Sequence, residues 1–116
     1  MKITNVTTET YRWPRHKPIS NGKHTYTHTG LRLVKIHTDE GTTGIGVCAV
    51  QGIVQATIET LTPELIGEDP IDVERIWHKM WIPKLIGRRG LTTRAIAGID
   101  IALWDLRAKV DRKSVV

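Results

Sequence analysis

Leu91-Thr-Thr-Arg-Ala-Ile-Ala-Gly-Ile-Asp-Ile-Ala-Leu-Trp-Asp-Leu-Arg-Ala-Lys-Val110 is the stretch on which the reading of this chain turns. Its spacing predicts a helix, and between Ala95 and Leu106 only Asp100 and Asp105 are polar. A helix lying on one small core shows a polar half-face at 3.6-residue spacing, whereas this one is apolar on nearly every side and needs cover all round. Left wet, that surface exceeds what an isolated domain usually tolerates, so a partner chain or sequence beyond Val116 is expected to cover it. Asp100 and Asp105 lie about 140° apart around the helix and do not converge as a catalytic pair. Asp105 can pair with Lys109 one turn on, and Asp100, between Ile99 and Ile101, suits an anchor to a neighbouring backbone or side chain. Gly98 in mid-helix costs up to about 1 kcal/mol against Ala, which implies close approach of another segment.

Upstream, Ile53, Val54, Ile58, Leu61 and Leu65 recur at helical spacing as far as the stop signal Gly67. A second helix is predicted after Asp69-Pro70, with Asp72 as cap and Val73, Ile76, Trp77, Met80 and Trp81 as an apolar stripe ending at Pro83. Lys84 to Gly90 reads as the linker into the long helix. Before the helices, Leu31 to Thr38 and Thr43 to Val50 are β-rich, and Asp39-Glu40-Gly41 between them suits a hairpin with Gly41 in the left-handed position. Residues 2 to 13 suit a strand exposed on one face, ending where Pro14 interrupts it. From Arg15 to Gly30 the sequence is polar, with Pro18, Gly22 and three histidines, and reads as a long loop. The expected fold is α+β: a three-stranded antiparallel meander followed by three helices, the strands packing one face on the helices.

At 116 residues, with 40% hydrophobic and 25% charged residues, the chain suits one globular domain and not a disordered one. Phe is absent; Trp13, Trp77, Trp81 and Trp104 are expected to supply much of the aromatic burial. The net charge of +5 is spread over seventeen Lys and Arg among twelve acids. Arg88-Arg89 and Arg112-Lys113 are the tightest basic pairs, and without a basic stripe, zinc spacing or stacking platform they do not make a nucleic-acid surface. In a larger protein the excess could steer an anionic substrate. A lone Cys48 rules out an internal disulfide and makes the cytoplasm the expected compartment. Strand-like sequence from Ile3 leaves no room for a targeting segment, and no run is long enough to span a membrane.

Two motifs are set aside. His24 and His28, four apart, with His16, suggest a metal site, but such spacing brings rings together only on a helix. Gly44-Ile45-Gly46-Val47-Cys48-Ala49 nominally fits a dinucleotide fingerprint, yet lies within strand-like sequence and opens no helix.

The run Ala97-Gly98-Ile99-Asp100-Ile101-Ala102-Leu103-Trp104-Asp105, with Lys109-Val110 after it, resembles the long helix closing the amino-terminal capping domain of enolase-superfamily enzymes, in the mandelate racemase and muconate-lactonizing branch. Thr38-Asp39-Glu40-Gly41-Thr42-Thr43-Gly44-Ile45-Gly46 resembles the hairpin of the same domain, and the resemblance spans the chain from about Lys2 to Val116. Many members carry glutamate after the hairpin's Gly-x-Gly, where this chain has Val47, and a glycine follows the long helix where this chain has Arg112.

The resemblance implies residues 1–110 as a capping domain and 111–116 as the start of a linker to a (β/α) barrel that this chain lacks. Enzymes of the superfamily abstract a proton next to a carboxylate and hold the resulting enediolate on magnesium, with ligands and bases at the ends of barrel strands. No metal ligand and no catalytic residue is therefore assigned here; magnesium would be bound by the absent barrel, and the chain alone is expected to catalyse nothing. Two cap loops close over the barrel mouth and touch the distal part of the substrate. They correspond to about Lys17 to Gly30 and Val50 to Ile53. Within them Asn21, Lys23 and His24, then Tyr26 and Gln51, could offer donors to hydroxyls or a carboxylate of an acid sugar, although each singly also suits a solvated loop side chain. The implied parent is a dehydratase, racemase or cycloisomerase, and a homo-oligomer is expected. The competing reading is a free-standing α+β interaction module whose apolar last helix docks onto a partner or its own copy.

Overall fold

The computed structural model describes residues 1–81 and 90–112. Pro83, the Lys84 to Arg89 part of the expected linker, the Arg88-Arg89 pair and Lys113 lie outside the described residues. Three strands, β1 (Ile3–Ser20), β2 (Thr25–Thr38) and β3 (Thr43–Cys48), precede three helices, α1 (Gly52–Leu65), α2 (Val73–Trp81) and α3 (Leu91–Asp111). The strands form one antiparallel sheet in the order β1-β2-β3, the expected meander.

Alternation sets which face is covered. Val34 and Ile36 of β2, fully buried, pair across to Gly46 and Gly44 of β3 on one side and to Thr8 and Val6 of β1 on the other. The core over that face is closed by Val54, Ile58, Leu61 and Leu65 of α1 and Ile99, Leu103 and Leu106 of α3, with Ile76 and Met80 of α2 joining it from the side of α1 and α3. Among the described residues the fully buried core holds no aromatic ring, and the aromatic burial comes from Trp77 and Trp81, which pack against it. Trp13 and Trp104 are 45% and 43% exposed, and Trp77 and Trp81 are half-buried, stacked on each other at 5.1 Å. A large ring needs a large hole, and small residues at the sheet-to-helix contact leave none.

The β2–β3 turn is as expected, with Gly41 at φ +79° and its N–H donating to the Thr38 carbonyl. Ile53, placed in the α1 stripe by spacing, is instead 57% exposed, while Val54 beside it is fully buried. Asp72 supplies α2 with its carbonyl, which accepts from the Ile76 N–H.

The segment Arg15 to Gly30 is corrected from loop to strand. β1 passes through Pro14 and β2 begins at Thr25; pairing runs to Pro14↔His28, is irregular, and resumes at Ile19↔Tyr26 and Ser20↔Thr25. β1 is an edge strand, where a missing proline N–H costs little. The paired ribbon runs past the helices, so both its faces are wet and no apolar alternation marks it. It stretches the molecule to 47 × 34 × 21 Å and a radius of gyration of 15.4 Å, against about 13 Å for a compact chain of this length.

The long helix is covered largely by the chain itself. Ala95, Ile96, Ile99, Ala102, Leu103 and Leu106 are buried, and a stripe with Ile101 (48% exposed) and Trp104 remains open. The helix ends in Arg112, at φ 56° and ψ 40°, the left-handed position at which glycine is the commonest residue after a helix.

Candidate functional site

At the far end of the β1–β2 ribbon the chain reverses through Asn21 to His24. Asn21 Oδ1 accepts the N–H of Lys23 at 2.9 Å and of His24 at 2.8 Å, and the Asn21 N–H donates to the His24 carbonyl. An asparagine carboxamide closing its own turn is the local reason the reversal falls here. Asn21 Nδ2 donates to Tyr26 Oη at 3.1 Å, and the His24 and Tyr26 rings are tilted with centroids 6.3 Å apart. Four of the five candidate residues therefore form one exposed cluster. Asn21 is largely occupied by the turn, with one amide proton left over; Lys23 and His24 have exposed side chains.

Gln51 is elsewhere. It precedes α1 as its N-cap, without a capping side-chain bond, and its carbonyl accepts the Val54 N–H at 3.0 Å. Beneath it lies Arg32, which sequence reasoning missed. Arg32 is only 5% exposed; Nη1 donates to the carbonyls of Ala49 and Gln51, both at 2.9 Å, Nη2 to that of Val50 at 3.0 Å, and Nε to Thr10 Oγ1 at 3.3 Å. Arg12 Nη2 adds a contact to the Val50 carbonyl at 3.4 Å. The signal was available: Arg32 alternates in phase with Val34 and Ile36, a charge on the buried face. Tyr26 and Arg32 stand six positions apart on extended chain, about 20 Å, so the tip cluster and Gln51 form two separate patches. Arg32, Arg12 and the positive end of the α1 dipole favour an anionic group beside Gln51.

The two α3 aspartates face different surroundings. Asp105 Oδ2 accepts the Ile45 N–H of the β3 edge at 2.9 Å and pairs with Lys109 Nζ at 2.9 Å; Lys109 in turn donates to the Thr43 carbonyl at 2.8 Å. Asp100 lines a shallow recess with Val73, Glu74, Trp77 and Trp104. Partial burial raises its carboxyl above the ordinary value, and no anchor of the kind expected meets its side chain among the described residues. Burial likewise raises the Cys48 thiol, against the opposing effect of nearby Arg32. Gly44 and Gly46 sit in β3 against α3, a packing role. Among the described residues no three His, Cys, Asp or Glu side chains come together as a metal site, and no helix is long and apolar enough to cross a membrane.

Comparison with known proteins agrees with this architecture. The D-galactarolactone cycloisomerase of Agrobacterium fabrum is 35% identical over 111 residues, 94% of this chain and 29% of that protein. The structure of L-talarate dehydratase from Polaromonas sp. JS666, complexed with Mg and L-glucarate, superposes with a TM-score of 0.82 at 34% identity, covering 95% of this chain and 32% of that one. A mandelate racemase/muconate lactonizing enzyme-like protein from Rubrobacter xylanophilus superposes with a TM-score of 0.85 at 28% identity, covering 95% of this chain and 31% of that one. The chain spans 20% to 29% of the length of the curated relatives it matches. Residues 3–116 match the family model of the mandelate racemase / muconate lactonizing enzyme N-terminal domain, and the chain belongs to that family.

Proposed function

We propose that this chain is the substrate-capping domain, residues 1–110, of a cytoplasmic, magnesium-dependent enzyme that abstracts the α-proton of an acid sugar, as a dehydratase or a cycloisomerase. The observation that carries the reading is the match itself: nearly all of this chain aligns with under a third of relatives that act on acid sugars. Among the described residues no three His, Cys, Asp or Glu side chains come together to fit a magnesium ion, and Asp105 is engaged by Lys109 and the Ile45 N–H while Asp100 stands in a separate recess. No catalytic step is derived from these residues. Magnesium and the proton-transferring groups belong, on this reading, to a barrel domain following residue 110.

The chain's own part is recognition. Lys23 and His24, with Tyr26 and the remaining amide proton of Asn21, would meet substrate hydroxyls or a distal carboxylate when the ribbon tip lies over the barrel mouth. Gln51, in a locally positive field, would meet an anionic or hydroxyl group nearer the cap. The exposed Ile101 and Trp104 stripe fits the barrel as its cover and fits equally the second reading, self-association of a free-standing module.

The test is turnover and thermal stability of the protein as expressed from its own reading frame, assayed with magnesium and a panel of aldonic and aldaric acids that includes L-glucarate. The expected result is magnesium-dependent loss of water or isomerisation of at least one acid, and a Tm raised by magnesium, since a ligand that binds only the native state stabilises it. A product of 116 residues that dimerises and ignores both magnesium and the acids sinks the proposal and leaves the interaction module.

A further inference from the structure

The Arg32 guanidinium is placed where a core side chain belongs, yet among the described residues no carboxylate pairs with it. Its partners are the backbone carbonyls of Ala49, Val50 and Gln51, three in succession. These join the end of β3 at Cys48 to the start of α1 at Gly52. In a strand, successive carbonyls point to opposite sides, and in a helix they point along the axis. Three that converge on one point belong to a connection wrapped around a cation. A buried charge without a counter-ion is expensive unless hydrogen bonds spread its charge, and here four of its five N–H donors are used. The planar fork makes the arrangement specific to arginine, since a lysine ammonium has neither its reach nor its spread of donors. Below, Thr10 holds Nε, so the guanidinium is oriented from the β1 side as well. Above, Gln55 accepts from Thr8 Oγ1 at 2.8 Å, tying the first turns of α1 to the same sheet edge. The Gln51 side chain itself remains exposed.

We infer that Arg32 is a positioning residue: by gathering the Ala49, Val50 and Gln51 carbonyls onto the β1–β2 pair, it sets where Gln51 is held for contact with an anionic substrate. The inference deepens the proposed function and rests on it. Arg32 touches no substrate. It restrains a connection whose Ala49 and Val50 lie beyond the β2–β3 ladder and whose N-cap Gln51 makes no side-chain cap bond, so the Gln51 amide meets its ligand without a separate ordering step.

The test uses Arg32→Met, close in length and without the fork, Arg32→Lys, which keeps the charge, and Gln51→Ala, all in the protein as expressed from its own reading frame. Backbone amide exchange over residues 49–55 is expected to quicken at least tenfold in Arg32→Met, with the amides of Val34 and Ile36 unchanged. With the acid sugar that turns over, KM is expected to rise at least tenfold while kcat falls less than threefold, Arg32→Lys lying between Arg32→Met and the unmodified protein. Unchanged exchange over 49–55 overturns the inference whatever the kinetics. Quickened exchange with unchanged KM overturns it too, and the Gln51→Ala variant then tells why. If Gln51→Ala also leaves KM unchanged, this connection is not substrate-facing and that part of the functional reading fails; if it raises KM, the reading stands and only the role of Arg32 is lost.

Discussion

Asp100 and Asp105 occupy one helix, and their surroundings give them opposite consequences for stability. Asp105 is met by an ammonium and a backbone N–H at the β3 edge, so its charge closes hydrogen bonds that would otherwise be left to water. Asp100 gains no such partner and loses water to the recess of Trp77 and Trp104, which raises its carboxyl above the ordinary value of 3.8. Between that value and the raised one, the folded state holds more proton than the unfolded state, so this group's contribution to stability falls as pH rises through the window and stays lost at neutral pH. Asp100→Asn is therefore expected to raise the Tm of the chain at pH 7, the gain shrinking to nothing below about pH 3.8, where both side chains are neutral. Equal Tm values at pH 7 would show that the recess does not desolvate Asp100. The pairing of Asp105 with Lys109 was legible in their i,i+4 spacing. The bond to Ile45, sixty residues away, was not, since nothing in the local sequence names a partner at that distance.

At the scale of elements, Gly44 and Gly46 bring the β3 backbone directly against the backbone of α3. A Cβ on Gly46 would strike the Gly98 carbonyl and approach the Ala102 nitrogen to 2.8 Å; one on Gly98 would come within 2.7 Å of Cys48 Cβ. The strand and helix backbones thus touch, Gly46 at Gly98 and Gly44 one turn on at Ala102. Gly46→Ala is expected to destabilise the chain by about 2 kcal/mol, lowering Tm by about 8 °C, because backbone must move to admit the methyl. Gly98→Ala should lose less, since it gains up to about 1 kcal/mol of helix propensity. Thermal melts of the two variants check the order, and a harmless Gly46→Ala would refute the contact. Gly98 was read in sequence as a sign of close approach, but its partner was not. The ribbon is the opposite case. Thr25-Tyr26-Thr27-His28-Thr29 has the β-branched and aromatic composition of a strand, yet a strand wet on both faces has no apolar period, and Pro14, Pro18 and Gly22 outweighed it.

Over the whole molecule, the sheet, α1 and α2 cover most of α3 and leave Ile101 and Trp104 about half exposed, with Arg107 5.2 Å from the Trp104 ring centroid. In an isolated chain about half of each side chain is already wet, so Ile101→Ser alone is expected to change its stability by less than about 1 kcal/mol. If the proposed barrel covers the stripe, the same substitution costs the intact protein roughly 2 kcal/mol or more, the ordinary loss on removing a buried apolar side chain. Denaturant melts of both forms separate the cases, and equal small effects would leave the stripe uncovered in the intact protein. The ribbon tip lies at the far end of the long axis, away from the Arg32 connection, so a ligand meeting both patches must span the cap or meet them from a shared barrel mouth.

What the sequence determined by itself was whatever repeats over short distances. The three helices followed from 3.6-residue spacing, the β2–β3 hairpin from Gly41, the Asp105–Lys109 pair from one helical turn, and the family from two motifs in order. What only the tertiary structure decided were pairings between residues remote in sequence: the Arg32 guanidinium on three carbonyls, the Asp105 carboxylate on the β3 edge, the glycine contact between strand and helix, and the wet ribbon. Local periodicity reports which face of an element is buried, because burial repeats with the backbone. The identity of the atom across the gap depends on how separate elements are brought together, and no local pattern carries that.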